Sequence, residues 1–389
     1  MFKIQTLNKI DPVGLKNFPL DQYEIASEFQ NPDAIIVRSQ VMHDMELPKS
    51  LRAIARAGAG VNNIPVEKCT QNGIVVFNTP GANAHAVKEL VIAGLLLSSR
   101  GIAQSIEWAK TLIGKGGEVP ALVEAGKKNF GGNEIRGKTL AVIGLGAIGV
   151  LIANAAQSLG MEVLGYDPYI SVKQAWRLSR NVKRAEGIEV LLSQADYVSI
   201  NIPQTPETTG YINKDKIKMM KPGVRILNFA RGGLVNTADI KEALESGKVG
   251  CYVTDFPDEE ILKMKNVIAI PHLGASTEES ETNCAVMAVD QVREYLEKGN
   301  IVNSVNFPEA EMERNGGPRI VIANKNVPNM VSQISSILAS EGLNIANMLN
   351  KNKADIAYNI IDIDGTAPSA GLTEKLSSVE GIIMVRILP

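Results

Sequence analysis

A chain of 389 residues, 45% hydrophobic and 21% charged, is long enough to bury two or three cores. Its formal net charge of -2 and the lack of a long Lys/Arg block provide no surface for tracking a phosphate backbone, so nucleic acid is not an expected partner. The longest apolar run, "LVIAGLLL" at 90–97, is under half of the roughly 20 residues a bilayer span needs; with no signal-peptide core in "MFKIQTLNKI", the chain reads as cytoplasmic, with no membrane partner.

"MFKIQTLNKI" alternates like a first strand, and "DAIIVRS" and "LRAIARAG" read as further strands. "IPVEKCTQNG" fits a helix closed by Gly73 before "IVVFN", so residues 4–82 form a small α/β unit. A long helix is expected from about Ala84 to Lys110, followed by "IGKGGEVPALVEAGKKNFGGNEIRGK", whose composition suits a crossing between domains. The alternation restarts with the strand "TLAVI", helix 148–159, "EVLGYD", a helix near 186–193 and "YVSINIP". It continues through "VRILNFA", helix 237–246, "GCYVTDF" and "NVIAIPH", and such repeated units imply right-handed crossovers and a parallel sheet. A long amphipathic helix spans 276–299, and "NFPEAEMERNGGPR" reads as a linker. Beyond it come strand 319–324, helix 328–341, two strands within 345–363, helix 368–379 and strand 382–388, a βαββαβ unit. Cys69, Cys251 and Cys284 lack CxxC spacing; they read as buried, inert thiols rather than disulfide partners or metal ligands.

"AVIGLGAIGVLIANAAQ" carries Gly144, Gly146 and Gly149 in GxGxxG spacing, after a strand and at the start of a helix from Ile148. That context makes a dinucleotide site of a motif that is weak alone: Gly144 for the tight turn, Gly146 for backbone approach to the pyrophosphate, Gly149 for helix–strand packing. Asp167 ends the next strand, 23 residues after Gly144, where a carboxylate accepts from a ribose 2′-OH and repels a 2′-phosphate, which favours NAD over NADP. The competing reading of Asp167 is a turn residue before Pro168.

The chain has three histidines as candidate acid/base groups. His43 lies in a polar loop, and His85 lies near a helix start, where a surface, capping or substrate role is open. His272 ends the apolar strand "NVIAIPH" at the carboxyl edge of the parallel sheet, where ligands collect. Neighbouring strand ends deliver Arg231 and then Asp255 with Glu259 and Glu260.

"VIGLGAIG", "GYDP", "NFARGGLVN", "VTDFP" and "IPHLGAST", in this order, resemble the signatures of the D-isomer-specific 2-hydroxyacid dehydrogenase family, and the resemblance covers essentially the whole chain. "AGAGVNNI", "GIVVFNTPGANAHAVKEL" and the C-terminal unit resemble its D-3-phosphoglycerate-oxidising branch. The resemblance implies two Rossmann-like parallel-sheet domains, for substrate and NAD, plus a C-terminal βαββαβ ferredoxin-like ACT domain. The implied boundaries are 1–82 with 276–308 for substrate, 83–275 for NAD, 309–317 for a linker and 318–389 for the regulatory ACT domain.

The same resemblance implies that Arg231 binds the substrate carboxylate and carbonyl, that His272 is the acid/base and that a glutamate supports it. Counting without gaps from Arg231 selects Glu260, and anchoring on Phe256 selects Glu259; Ile261 stands where the family usually has Pro. Cofactor contacts are implied for Gly144, Gly146, Ala147, Ile148, Gly149, Asp167, Asn201, Pro203, Ala230, Arg231, Asp255, His272 and Gly274, with Asp255 at the nicotinamide amide and Asn201 replacing a family His. Substrate contacts are implied for Arg38, Ser39, Gly60, Asn83 and Arg231, with no metal.

Oxidation of D-3-phosphoglycerate, the entry step to serine, by an NAD-dependent homodimer or homotetramer is the implied function. A sister enzyme for D-lactate, glyoxylate or hydroxypyruvate, and an NAD-sensing binding protein, are the alternatives. In the tail, helix 328–341 is expected to start with Pro328 in its first turn and to show Val331, Ile334, Ile337 and Leu338 as an apolar face. The unit would bury one sheet face and leave an edge for a second copy. ACT domains of related enzymes bind L-serine at such a paired interface through side chains matching Asn326 and Asn344, although Asn324 replaces a His and Asn329 a Gly. A tail that only holds the oligomer together is the other reading.

Overall fold

The computed structural model describes residues 1–365, 368–369 and 371–389. They form two compact units, Met1–Ala82 with Glu281–Pro389, and Asn83–Ser280. The architecture is α/β, with two parallel sheets and a smaller antiparallel one.

In the first unit, β1 (Phe2–Leu7), β2 (Tyr23–Ala26), β3 (Ala34–Val37), β4 (Ala53–Arg56) and β5 (Val75–Phe77) make a parallel sheet of order β2-β1-β3-β4-β5. β3 and β5 are buried along their whole length, as strands covered on both faces must be, and so they read as unbroken apolar runs.

The second unit carries β6 (Thr139–Ile143), β7 (Glu162–Tyr166), β8 (Lys183–Arg184), β9 (Tyr197–Ile200), β10 (Val224–Asn228), β11 (Val249–Thr254) and β12 (Val267–Ala269), all parallel, in the order β12-β11-β10-β9-β6-β7-β8. Alternate residues of β6 feed two cores on opposite faces, Ala141 and Ile143 on one and Leu140 and Val142 on the other. The strand order reverses between β6 and β9, which opens a crevice at their carboxyl ends.

Two expectations differ here. The helix from Ala84 is two helices, Ala84–Ser99 and Ile102–Lys110, because Arg100 is extended and Gly101 starts the second. The stretch expected to cross between domains lies within the second unit and contains helix Val119–Gly126; it packs back on the preceding helix, with Trp108 5.2 Å from Phe130 and no room for a side chain at Gly126, whose Cβ would lie 2.3 Å from the indole.

The tail forms β13 (Arg319–Lys325), β14 (Asn344–Lys353), β15 (Ile356–Asp364) and β16 (Ile382–Leu388), an antiparallel sheet of order β14-β15-β13-β16. Its connecting helix starts at Met330; Pro328 stays in the turn before it, and Asn329 takes a left-handed φ of 71° there. Of the expected face, Ile334 and Leu338 are buried and Ile337 packs partly buried beside them; Val331 is 42% exposed, and Met330 takes its place. Both faces of this sheet are covered rather than one. Ile320, Ile322, Ile361 and Ile363 pack under the helices, while Val321, Ala323, Tyr358 and Ile360 join Tyr295, Leu296 and Phe307 in the core of the first unit. The reason lies in β13, "RIVIANK", which is apolar at both parities.

One buried ion pair fastens this sheet. Arg319 donates to both oxygens of Asp362, at 2.6 and 3.0 Å, and to the carbonyls of Lys298, Met312 and Glu313, with neither charged side chain exposed. Cys69, Cys251 and Cys284 are all buried, and burial pushes the first two thiols up to about 11 and the third upward. Among the described residues no helix is long and apolar enough to cross a membrane, and no group of His, Cys, Asp and Glu is arranged to hold a metal ion. Removing one partner of a buried ion pair leaves an uncompensated charge. Asp362→Ala should therefore cost about 3–5 kcal/mol in denaturant unfolding; a loss below about 1 kcal/mol, the scale of an exposed pair, would show that the pair does not hold the tail.

Candidate active site

The crevice at the β6–β9 reversal is built by glycine. Gly144 ends β6 at φ 87°, and a Cβ there would stand 2.6 Å from the carbonyl oxygen of Asn201. Gly149 sits so close to Gly144 that its Cβ would lie 1.9 Å from that carbonyl. Gly146 precedes helix Ala147–Ser158, and nothing lies within 4 Å of its Cβ position, so the backbone there is open to a ligand. The first N–H groups of this helix, including those of Ala147 and Ile148, have no partner within the helix, and its dipole is positive at this end. Asp167, just beyond β7, accepts from the Leu145 N–H and the Tyr169 N–H, each at 2.8 Å. It is thus both the turn residue before Pro168 and a carboxylate held against the glycine loop. The Asn201 amide turns back to Ser199, at 3.1 Å from Oγ, and the Pro203 carbonyl accepts from Thr208. These residues fit a dinucleotide: open backbone for the pyrophosphate and a carboxylate beside it for the ribose.

The adjacent strands β10, β11 and β12 bring Arg231, Asp255 and His272 together at the same carboxyl edge. Asp255 has no exposed surface; its Oδ2 accepts from the Gly274 N–H at 3.2 Å and its Oδ1 has no partner among the described residues. Burial pushes its pKa above the usual carboxylate range, opposed by the Gly274 N–H and by the charges of His272 and Arg231. His272 is exposed, its ring leaning on Phe256 at 4.6 Å. Arg231 is exposed too, with Nη1 on the Ala230 carbonyl at 2.7 Å.

Neither Glu259 nor Glu260 pairs with His272 among the described residues. Both begin the short helix Glu259–Lys263, and their carboxylates lie 2.9 and 3.1 Å from the Lys263 amine. The expected Glu260 partner is therefore not formed here; helix spacing puts Lys263 within reach of both acids, and the carboxylate whose charge reaches His272 is Asp255.

The other expected contacts distribute as follows. Asn83 stands just before helix Ala84–Ser99 and makes no side-chain cap, and His85 is exposed on its first turn. In the first unit, Arg38 pairs with Glu281 at 2.7 Å, the Ser39 N–H is held by Asn8, and Gly60 follows β4. His43 lies 2.9 Å from the Asn62 carbonyl. Asn326, the residue after β13, donates to the Ala354 carbonyl just past the end of β14, whereas Asn344, which opens β14, donates to Asp364. Ten residues of strand put them about 30 Å apart, so one chain does not bring the two amides to a shared ligand.

Two further residues belong to this site: Phe256, which served in the sequence only as an alignment anchor and whose ring leans on His272, and Asn228, whose buried amide holds the backbone under Arg231. A polar residue closing the apolar run "VRILN" was the available signal for the latter.

Residues 93–274 match the family model described as D-isomer specific 2-hydroxyacid dehydrogenase, NAD binding domain. The chain is 37% identical over 305 residues to D-3-phosphoglycerate dehydrogenase of Archaeoglobus fulgidus, covering 75% of this chain and 55% of the relative. It is 30% identical over 387 residues to the Haemophilus influenzae protein of that name, covering 95% and 90%. The chain thus spans a little over half the length of the first of these relatives and most of the second. Among solved structures, the NAD+-bound 3-phosphoglycerate dehydrogenase of Entamoeba histolytica superposes with a TM-score of 0.60 at 25% identity, over 78% of this chain and 98% of that one. The glycine crevice, the three charged strand ends and near full-length likeness together lead to one statement of kinship: the chain belongs to the D-isomer-specific 2-hydroxyacid dehydrogenase family.

Proposed function

We propose that the chain oxidises D-3-phosphoglycerate to 3-phosphohydroxypyruvate with NAD, in the cytoplasm and as a homodimer or homotetramer. The observation that carries this reading is the convergence of Arg231, Asp255 and His272 on the sheet edge that also holds the glycine loop. NAD, when bound, supplies the acceptor for the hydride leaving C2. Gly144, Gly146, Gly149 and the N-terminus of helix Ala147–Ser158 hold its pyrophosphate, Asp167 its ribose and Asp255 its amide. Arg231 presents a planar fork to the 2-hydroxy carboxylate, which a Lys cannot match. Neutral His272 takes the C2 hydroxyl proton on oxidation, and imidazolium returns it in reverse. Phe256 limits the angles this ring can adopt. Glu260 or Glu259 supports the imidazolium once released from Lys263, while Arg38, Ser39, Gly60 and Asn83 take the rest of the substrate.

NADH formation with D-3-phosphoglycerate, compared with D-glycerate and D-lactate, tests the assignment; equal or better rates on the unphosphorylated acids overturn it. NADP should serve poorly, and Asp167→Ala should narrow that gap. His272→Ala should lose on the order of 10²- to 10⁴-fold in kcat and keep NAD binding, whereas Arg231→Ala should also raise KM. Near-normal turnover in His272→Ala would remove it as the acid/base.

Regulation by L-serine at the tail is the second reading, and the polar cleft of about 280 Å³ around Asn324, Asn326 and Asn350 favours it. Because Asn344 opens β14 and Asn326 is bonded just past its far end, a ligand touching both needs them from two copies. The tail would then act as a regulatory ACT domain, and serine inhibition should vanish in Asn344→Ala with the basal rate kept. If saturating serine changes neither rate nor thermal stability, the tail only supports the assembly.

A further inference from the structure

We propose that Asn228 is a positioning residue that fixes where Arg231 stands relative to His272. Asn228 is the last residue of β10 and has no exposed surface. Its Oδ1 accepts from the Ala230 N–H at 3.2 Å; its Nδ2 donates to the Arg231 carbonyl at 2.9 Å and lies 3.3 Å from the Tyr252 hydroxyl. The first bond makes a tight turn two residues on, and the second pins the backbone of the residue that carries the guanidinium. The third ties the turn to β11, whose strand end continues into Asp255 and Phe256.

Among the described residues the exposed Arg231 side chain bonds one carbonyl, that of its own neighbour Ala230, so its place depends on the backbone that carries it. The backbone sets it, and that backbone runs close against Phe256. A Cβ at Gly232 would lie 3.1 Å from Cβ of Phe256, and one at Gly233 would lie 2.4 Å from the Gln204 amide nitrogen. Phe256 in turn leans on His272. Asn228 therefore keeps the Arg231 turn seated against the residue that orients the acid/base. Both hydrogen-bonding ends of its amide are used, the oxygen accepting and the nitrogen donating. Aspartate keeps the acceptor and loses the donor; alanine loses both.

The inference rests on the dehydrogenase reading, and its test separates the two. A misplacement of about 1 Å can cost on the order of 100-fold. Asn228→Asp and Asn228→Ala should lower kcat/KM for the 2-hydroxy acid by roughly that factor, largely through KM, with the NAD Kd changed by less than about twofold. Ser99→Ala, which breaks a buried bond to Tyr197 elsewhere in this unit, should lower Tm and leave kcat/KM within about twofold. In an Arg231→Lys background, adding Asn228→Ala should cost little further activity while lowering Tm as before. Equal activity losses in both backgrounds, or a fall in Tm without a fall in kcat/KM, would overturn the proposal. Should the wild-type chain turn over no 2-hydroxy acid, the dehydrogenase reading fails, and the crystal structure of Asn228→Ala decides the inference alone: a displaced Ala230–Arg231 turn supports it and an unmoved one ends it.

Discussion

The carbonyl of Gly144 and the α-carbon of Gly149 stand closer than any side chain permits, and the second unit is organised around that approach. With no Cβ at 149, helix Ala147–Ser158 lies directly on β6, and its unpaired N–H groups face the crevice where the strand order reverses. Gly144 makes the same contact possible from the other side, because its positive φ turns the chain beneath the Asn201 carbonyl. A larger residue at 149 would force the helix off the strand, and one at 144 would run into the Asn201 backbone and into Ile202, so either would disturb the backbone surface that a pyrophosphate needs.

The charged strand ends obey a different constraint. Asp255 is buried, and burial raises its pKa, so the folded state holds its proton more tightly than the unfolded chain does; the stability this contributes is fully present below the ordinary carboxylate pKa and is lost as pH rises through the raised value. Above that raised value the ionised carboxylate is a cost, reduced by the Gly274 N–H and by Arg231 and His272 but not removed, since Oδ1 has no partner among the described residues. Retaining such a group suits a site that binds a polar amide better than it suits a core. Asn228 and Phe256 supply the complementary rigidity, one beneath Arg231 and one beside His272.

In the first unit the decisive interaction is electrostatic and buried. Arg319 gathers Asp362 and three carbonyls from the segment between Lys298 and Glu313, so the tail sheet is anchored to the end of helix Glu278–Lys298. Tyr358 adds a bond to the Gly299 carbonyl, and Arg386 reaches the carbonyls of Tyr295 and Leu296. A tail held this way shares the core of the unit that contains Arg38 and Ser39.

Local patterns in the chain were enough to specify the parallel sheets, the glycine turn, Asp167 at the end of β7 and the delivery of Arg231, Asp255 and His272 to strand ends. These follow from short-range rules: period-two or unbroken apolar runs, Gly at positive φ, and strand–turn–helix spacing. What depended on contacts between distant segments was decided only in three dimensions. The break at Arg100, the packing of 113–138 on Trp108 and the pairing of both glutamates with Lys263 each hinge on a partner that proximity in sequence does not identify. So does the second buried face of the tail sheet: "RIVIANK" shows apolar residues at both parities, but only the packed first unit supplies Tyr295, Leu296 and Phe307 to cover the second, and an apolar face is committed to burial only when another segment arrives to exclude water from it.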